Sequence, residues 1–245
     1  MILLLDIGNT RAKYVVLEQG IRSTVKAIDN NVINHSLLEQ HFTEITKMVV
    51  ASVASEDITD IVKGWCEQNE LPYQRVYSEQ QKAGVKSAYH LPEQLGIDRW
   101  LTLVASRILL PKSNVLIVDA GTATTIDVLS ASGQHIGGWI LAGVETLFES
   151  VLANTTKVTA TNTNKASLSF GCNTSDNVNN ACWAATAGTI YSALKQAERQ
   201  NCKIDKLLLT GGNAKELQPL LTVESLIIDD LVFQGLQAYS GEVRK

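Results

Sequence analysis

Short apolar runs punctuated by Gly, Asn and Asp recur in both halves of this 245-residue chain. Ile2–Leu5, Ala12–Glu18 and Ile21–Ala27 are rich in β-formers and separated by turn residues, which predicts an antiparallel meander. Behind it, His35–Phe42 reads as a helix and Met48–Val53 as a buried strand. Ile58–Asn69 has the pattern of an amphipathic helix, with cap candidates in Ser55, Glu56 and Asp57. A strand over Tyr73–Tyr77 leads into an irregular stretch through SAYHLPEQLG. IDRWLTLVASRILL then sets Leu101, Val104, Ala105 and Ile108 at helical spacing, and PKSN (Pro111–Asn114) stops that helix.

The pattern then starts over. Val115–Val118, Thr124–Leu129 and His135–Ile140 predict three strands, and Glu145–Leu152 a helix. TTKVTATNTNKASLSFGCNTSDN is polar and poor in aliphatic residues, the signature of a loop. A long helix over Asn179–Gln200 follows, then a buried strand and glycine turn at KLLLTGG, a short helix, a strand at Ser225–Ile228 and a last helix from about Leu231. Three strands followed by alternating helices and strands occur in each half, which is duplication at the scale of a domain. The expected architecture is α/β: two mixed-sheet domains facing each other, residues 1–112 and 113–245.

Composition narrows the possibilities. With 45% hydrophobic and 19% charged residues, the chain can bury a full core. A net charge of −4 without a Lys/Arg cluster argues against nucleic acid as a partner. Cys66, Cys172, Cys182 and Cys202 lack metal-ligand or disulfide-framework spacing and read as reduced thiols. No basic segment precedes the first apolar run, and no run approaches the ~20 apolar residues a bilayer crossing needs. The expectation is a cytoplasmic protein that does not enter a membrane.

Candidate chemistry sits in a hairpin that occurs twice. ILLLDIGNTRAKYVVLEQG at the start is nearly repeated as VLIVDAGTATTIDVLSASG, so Asp6 and Asp119 occupy equivalent places. Gly tolerates backbone conformations that gather N–H groups into an anion-binding cup, and Thr hydroxyls can join them. The aspartate is a hard oxygen ligand suited to Mg²⁺. Two such turns, one per domain, could grip a triphosphate from both ends. LLLTGGNAKEL adds Gly211 and Gly212 just before a helix, where a flat base could approach the backbone.

These three motifs resemble the phosphate-1, phosphate-2 and adenosine motifs of the superfamily of acetate and sugar kinases, heat-shock chaperones and actin. Within it, DIGNTRAK, YHLPEQLGIDRW, DAGTATTID, GGWILAG and LLLTGGNA together resemble type III pantothenate kinase, nearly end to end. The resemblance implies duplicated ribonuclease-H-like (actin-like ATPase) domains, each with a mixed five-stranded sheet flanked by helices, and ATP in the cleft between them. It implies ATP-dependent phosphorylation of pantothenate to 4′-phosphopantothenate, the first step toward coenzyme A, by a homodimer.

By the same resemblance, Asp6, Ile7, Gly8, Asn9, Thr10, Arg11, Ala12 and Lys13 form the first ATP-binding stretch, with Asp6 acting through Mg²⁺. Thr122 is a second ATP contact, and Asp119 holds a monovalent cation, K⁺ or NH₄⁺. Asp98 is the general base toward the acceptor hydroxyl, while Tyr89, Gly96, Ile97, Asp98, Arg99 and Thr174 contact pantothenate. Arg99 offers a planar fork for a carboxylate or phosphoryl oxygen. Read without the resemblance, Asp98 looks like a helix N-cap. One departure stands out: the family pattern GG-x-I-x-P-G here reads GGWILAG, with Ala142 in place of proline. Two other functions remain open from the residues alone: a kinase for another small hydroxylated acid, and a non-catalytic ATP-bound regulator.

Overall fold

Strand β1 (Ile2–Ile7) runs antiparallel to β2 (Arg11–Glu18) and parallel to β5 (Lys47–Ser52) in a computed structural model that describes residues 1–162 and 165–242. Between these strands lie β3 (Ile21–Arg22), β4 (Lys26–Asp29) and α1 (His35–His41). After them come α2 (Glu56–Gln68), β6 (Tyr73–Arg75), the small hairpin β7 (Gln81–Lys82) and β8 (Val85–Lys86), and α3 (Ile97–Leu109). The sheet order is β3-β2-β1-β5-β6, with β4 also on β2. Leu3, Leu5 and Ile7 share one core cluster with Leu38 and Phe42 from the α1 region and with Val62, Trp65 and Cys66 of α2. Burial on both faces is why β1 reads as an unbroken apolar run rather than an alternating one.

Two local features differ from the sequence expectation. The strand expected over Ile21–Ala27 is broken into β3 and β4, both on the same edge of β2. At the break, Ser23 N–H donates to the Val16 carbonyl at 2.9 Å, while Ser23 Oγ accepts from Val16 N–H at 3.0 Å. A side-chain oxygen has replaced a backbone carbonyl in the ladder, so pairing lapses until Lys26. The β7–β8 hairpin lies within the stretch expected to be irregular. Ala83 (φ 48°) and Gly84 (φ 79°) both take left-handed conformations, the requirement of a two-residue turn that the sequence usually announces with Asn-Gly.

The second unit repeats the first. β9 (Val115–Ala120), β10 (Ala123–Leu129), β11 (His135–Ala142), α4 (Val144–Ala153), α5 (Thr174–Arg199), β12 (Lys206–Thr210), α6 (Ala214–Leu217) and β13 (Ser225–Ile227) follow in order. The sheet order β11-β10-β9-β12-β13 carries the same succession of two antiparallel and two parallel pairings. α5 starts five residues before the expected Asn179, because Asn173 caps it by accepting from Asp176 N–H at 2.9 Å. Residues 163 and 164 of the expected polar loop lie outside the described residues.

The last helix, α7 (Leu231–Gln237), does not belong with the second unit. The packing units are Met1–Leu109 together with the chain from Asp230 on, and Leu110–Asp229. This departs from the expected division into 1–112 and 113–245. α7 packs on α3 so closely that a Cβ on Gly235 would lie 2.6 Å from the carbonyl carbon of Leu101. Asp230 also pairs with Arg22 at 2.8 Å, and Lys47 donates to the Ser240 carbonyl at 3.1 Å. Sequence continuity favoured a single cut; these contacts return the chain end to the first sheet.

Candidate functional site

In the first hairpin, Asp6 lies one residue before the end of β1, opposite Lys13 of β2, and Gly8, Asn9 and Thr10 make the turn. The carbonyls around this turn are tied back into the protein. Ile7 O accepts from Val53 N–H at 3.0 Å, Thr10 O from Asn30 N–H at 3.0 Å, and Arg11 O from Gly8 N–H at 3.0 Å. Gly8 O accepts from the side-chain amide of Asn30 at 2.8 Å. The backbone N–H groups of Asn9 and Thr10, by contrast, have no acceptor among the described residues. A turn with engaged carbonyls and open N–H groups presents donors outward, as anion binding requires. Ile7 and Ala12 are fully buried, so only their main chain can reach a ligand; Arg11 and Lys13 are exposed.

The second hairpin is held in the same manner by other residues. Gly121 N–H donates to Ala123 O at 3.1 Å, and Thr122 O accepts from Gly143 N–H at 2.9 Å and from the Thr146 hydroxyl at 3.0 Å. Thr122 N–H has no acceptor among the described residues. Gly211, at φ 90°, lies directly on this turn: a Cβ there would stand 2.6 Å from the Ala120 carbonyl carbon and would overlap the Asp119 carboxylate. Asn213 N–H completes the contact by donating to Ala120 O at 2.9 Å. The DAGTATT and TGGNA motifs, far apart in sequence, thus meet in one place. Beside them is a polar cavity of about 200 Å³ lined in part by Glu145, Asn179, Trp183, Asn213 and Glu216. Ala142, where the family pattern has proline, ends β11, and the next residue is the Gly143 that holds Thr122.

The residues expected at the acceptor site cluster at the start of α3. Trp100 N–H donates to Gly96 O at 3.0 Å, so the helix begins one residue before Asp98, which is not its N-cap. Asp98 is half-buried in the first turn, where the positive end of the helix dipole favours a carboxylate. Its Oδ1 accepts from Arg99 N–H at 2.8 Å. Gly96 leaves room for that carboxylate, since a Cβ there would stand 2.6 Å from Oδ1. Arg99 is only 4% exposed; its Nη1 donates to the Tyr89 hydroxyl at 3.1 Å, and the guanidinium lies 5.9 Å from the Tyr89 ring centre. Ile97 is a core side chain. Thr174 is exposed on the first turn of α5 and belongs to the other unit.

Asn30, Gly143 and Thr146 were missed in the sequence. Asn30 falls in DNN after a strand and reads only as a turn, and the other two act through backbone carbonyls that leave no motif. Among the described residues, no group of three or more His, Cys, Asp or Glu side chains could cage a metal ion. Mg²⁺ does not need such a cage, because it usually arrives with ATP phosphates and waters and takes one or two carboxylates from the protein.

The family model for type III pantothenate kinase matches residues 2–196. A type III pantothenate kinase of Colwellia psychrerythraea is 47% identical over 250 residues, spanning 98% of this chain and 100% of that protein. Among solved structures, a Campylobacter jejuni protein described as a Baf family transcriptional activator superposes with a TM-score of 0.62 at 22% identity, over 96% of this chain and 95% of its own. A glucokinase from an Antarctic psychrotroph does so with a TM-score of 0.50 at 12% identity, over 97% of this chain and 98% of its own. At such identities the structures speak to the fold alone. With the two matching sheet orders, they identify the duplicated, actin-like α/β architecture.

Proposed function

The chain belongs to the type III pantothenate kinase family, and on that premise we propose which of its groups carry ATP-dependent phosphorylation of pantothenate to 4′-phosphopantothenate, a step in coenzyme A synthesis. The Asp6–Lys13 turn and Thr122 bind the phosphates of ATP through open N–H groups and Thr hydroxyls, with Lys13 offsetting charge. Asp6 would hold the divalent ion that accompanies ATP, which would supply charge neutralisation at the transferring phosphoryl group. The cavity beside Gly211 and Asn213 suits the nucleoside end.

Asp98 accepts the proton of the pantothenate hydroxyl. Phosphoryl transfer passes through a loose transition state, so this base chiefly orients the nucleophile. Arg99, held against Tyr89, presents its fork to the acceptor's carboxylate or to the phosphoryl oxygens. Thr174 completes the acceptor contacts. The observation that carries the assignment is the Asp98 carboxylate, half-buried at a helix N-terminus over a glycine that leaves it space.

Asp119 holds a monovalent cation, K⁺ or NH₄⁺. Gly121 and Gly211 both approach its Oδ1 without a side chain, a cradle that a Cβ on Gly211 would fill. Such a cation would supply positive charge that the turn itself lacks. The active species is a homodimer in the cytoplasm; Ile136, Trp139 and Ile140 on β11 leave apolar area exposed of the kind that association covers. Sedimentation at micromolar concentration tests the dimer.

The decisive experiment is transfer of label from γ-labelled ATP to pantothenate, with and without K⁺. Label on pantothenate, stimulated by K⁺, is the expected result. Transfer only to a different hydroxylated acid would replace the acceptor, and tight ATP binding with no transfer would favour a regulator.

A further inference from the structure

The two phosphate turns share a property that their motifs do not encode: each has its carbonyl oxygens anchored from behind by a residue outside the motif. In the first, Asn30 does this twice, through its main-chain N–H to Thr10 O at 3.0 Å and its side-chain amide to Gly8 O at 2.8 Å. Asn30 Oδ1 is buried without a hydrogen-bond partner among the described residues, so the carboxamide is held there by its donor alone. In the second, the hydroxyl of Thr146 on α4 donates to Thr122 O at 3.0 Å, beside Gly143 N–H at 2.9 Å. Asn30 and Thr146 come from different elements, a single 3-10 turn that follows β4 and the helix α4, yet engage corresponding turns.

The electrostatic consequence is direct. A peptide carbonyl facing a polyphosphate repels it, and a small rotation of the peptide plane exchanges the outward N–H for the carbonyl. A carbonyl shares its peptide plane with the N–H of the next residue. Anchoring Gly8 O therefore keeps the Asn9 N–H, which has no acceptor among the described residues, directed outward, while anchoring Thr10 O and Thr122 O keeps those two carbonyls from turning outward. We infer that Asn30 and Thr146 are positioning residues for ATP: they hold carbonyls of the two phosphate turns back from the polyphosphate without touching the nucleotide. The inference rests on the reading of these turns as the ATP site.

The test varies ATP and pantothenate separately in steady-state kinetics of full-length Asn30→Ala, Thr146→Val and Thr146→Ser, with Lys13→Ala and Thr122→Ala in parallel. Asn30→Ala and Thr146→Val are expected to raise KM for ATP by about 2- to 10-fold, the worth of one hydrogen bond, with KM for pantothenate and kcat within about 2-fold of the parent. Thr146→Ser keeps the hydroxyl and should restore the parent value. Unchanged KM for ATP in both Asn30→Ala and Thr146→Val overturns the inference, as does an equal change toward both substrates, which is the mark of general loosening. If Lys13→Ala and Thr122→Ala alone raise KM for ATP, the ATP site stands and only the positioning role falls. If all four leave it unchanged, the site reading falls as well. Should Asn30→Ala not fold, the Val and Ser pair at position 146 decides.

Discussion

The hydroxyl of Tyr239 accepts a hydrogen bond from the indole N–H of Trp100 at 2.8 Å. Trp100 is fully buried and lies two residues after Asp98, so the C-terminal segment holds the helix that carries the proposed base. Burial pushes the Tyr239 hydroxyl pKa upward, and the Lys82 ammonium lies 4.4 Å from its ring centre.

Removing that hydroxyl strands a buried donor. Tyr239→Phe should lower unfolding free energy by about 1–3 kcal/mol, read from urea denaturation. Gly235→Ala should cost more, because its Cβ would meet the Leu101 backbone rather than a side chain that can move aside. A Gly235→Ala variant as stable as the parent would show that α7 does not hold α3 in this way.

Asp98→Asn keeps the shape of the side chain and removes the proton acceptor. Turnover is expected to fall by about 10²- to 10⁴-fold, the usual contribution of a general base. ATP affinity measured by calorimetry should hold within about 2-fold, since the interactions proposed for ATP lie elsewhere. Near-normal turnover would remove Asp98 from the mechanism.

Asp127 and His135 face each other across β10 and β11 at 2.9 Å, with side chains 2% and 0% exposed. Asp127→Ala should destabilise the protein by about 1–3 kcal/mol, because it removes the carboxylate that the buried imidazole Nε2 meets. Replacing both with apolar residues of similar volume should recover much of that loss. Thermal melts of the single and double variants separate the two outcomes.

Thiol chemistry and alkaline stability follow from burial. Cys172 is exposed while the other three cysteines are buried, so iodoacetamide at pH 8 should label one thiol in the native protein and four after denaturation. Burial pushes Cys66 from 9.0 to about 11, and Tyr73 from 10.0 to about 12. Both are acids whose folded pKa lies above the unfolded one. The thiol's stabilising contribution is therefore whole below pH 9 and fades as pH rises through 11, and the phenol's is whole below pH 10 and fades as pH rises through 12. Unfolding free energy should therefore drop between pH 9 and 11, by ~1–3 kcal/mol for the thiol. Cys66→Ala should flatten that drop.

Much of the fold was legible because its signals are local. The apolar runs at β1, β9 and β12 and the helical spacing in α3 follow from one-dimensional periodicity. Their repetition marks the duplication. The break at Ser23 was not legible, because it depends on a hydroxyl meeting Val16 across the ladder. The Ala83–Gly84 hairpin was missed because alanine rarely takes φ > 0.

The sequence by itself determined the two sheets, the doubled Asp-x-Gly turns and family membership, since each depends on residue type and short spacing. Tertiary structure alone decided that α7 returns to the first unit, that Gly211 rests on Asp119 and that Asn30 and Thr146 anchor the turns. Those contacts join residues far apart in the chain, several of them through backbone carbonyls, and a carbonyl is the same at every position of a sequence; only folding shows which one is met.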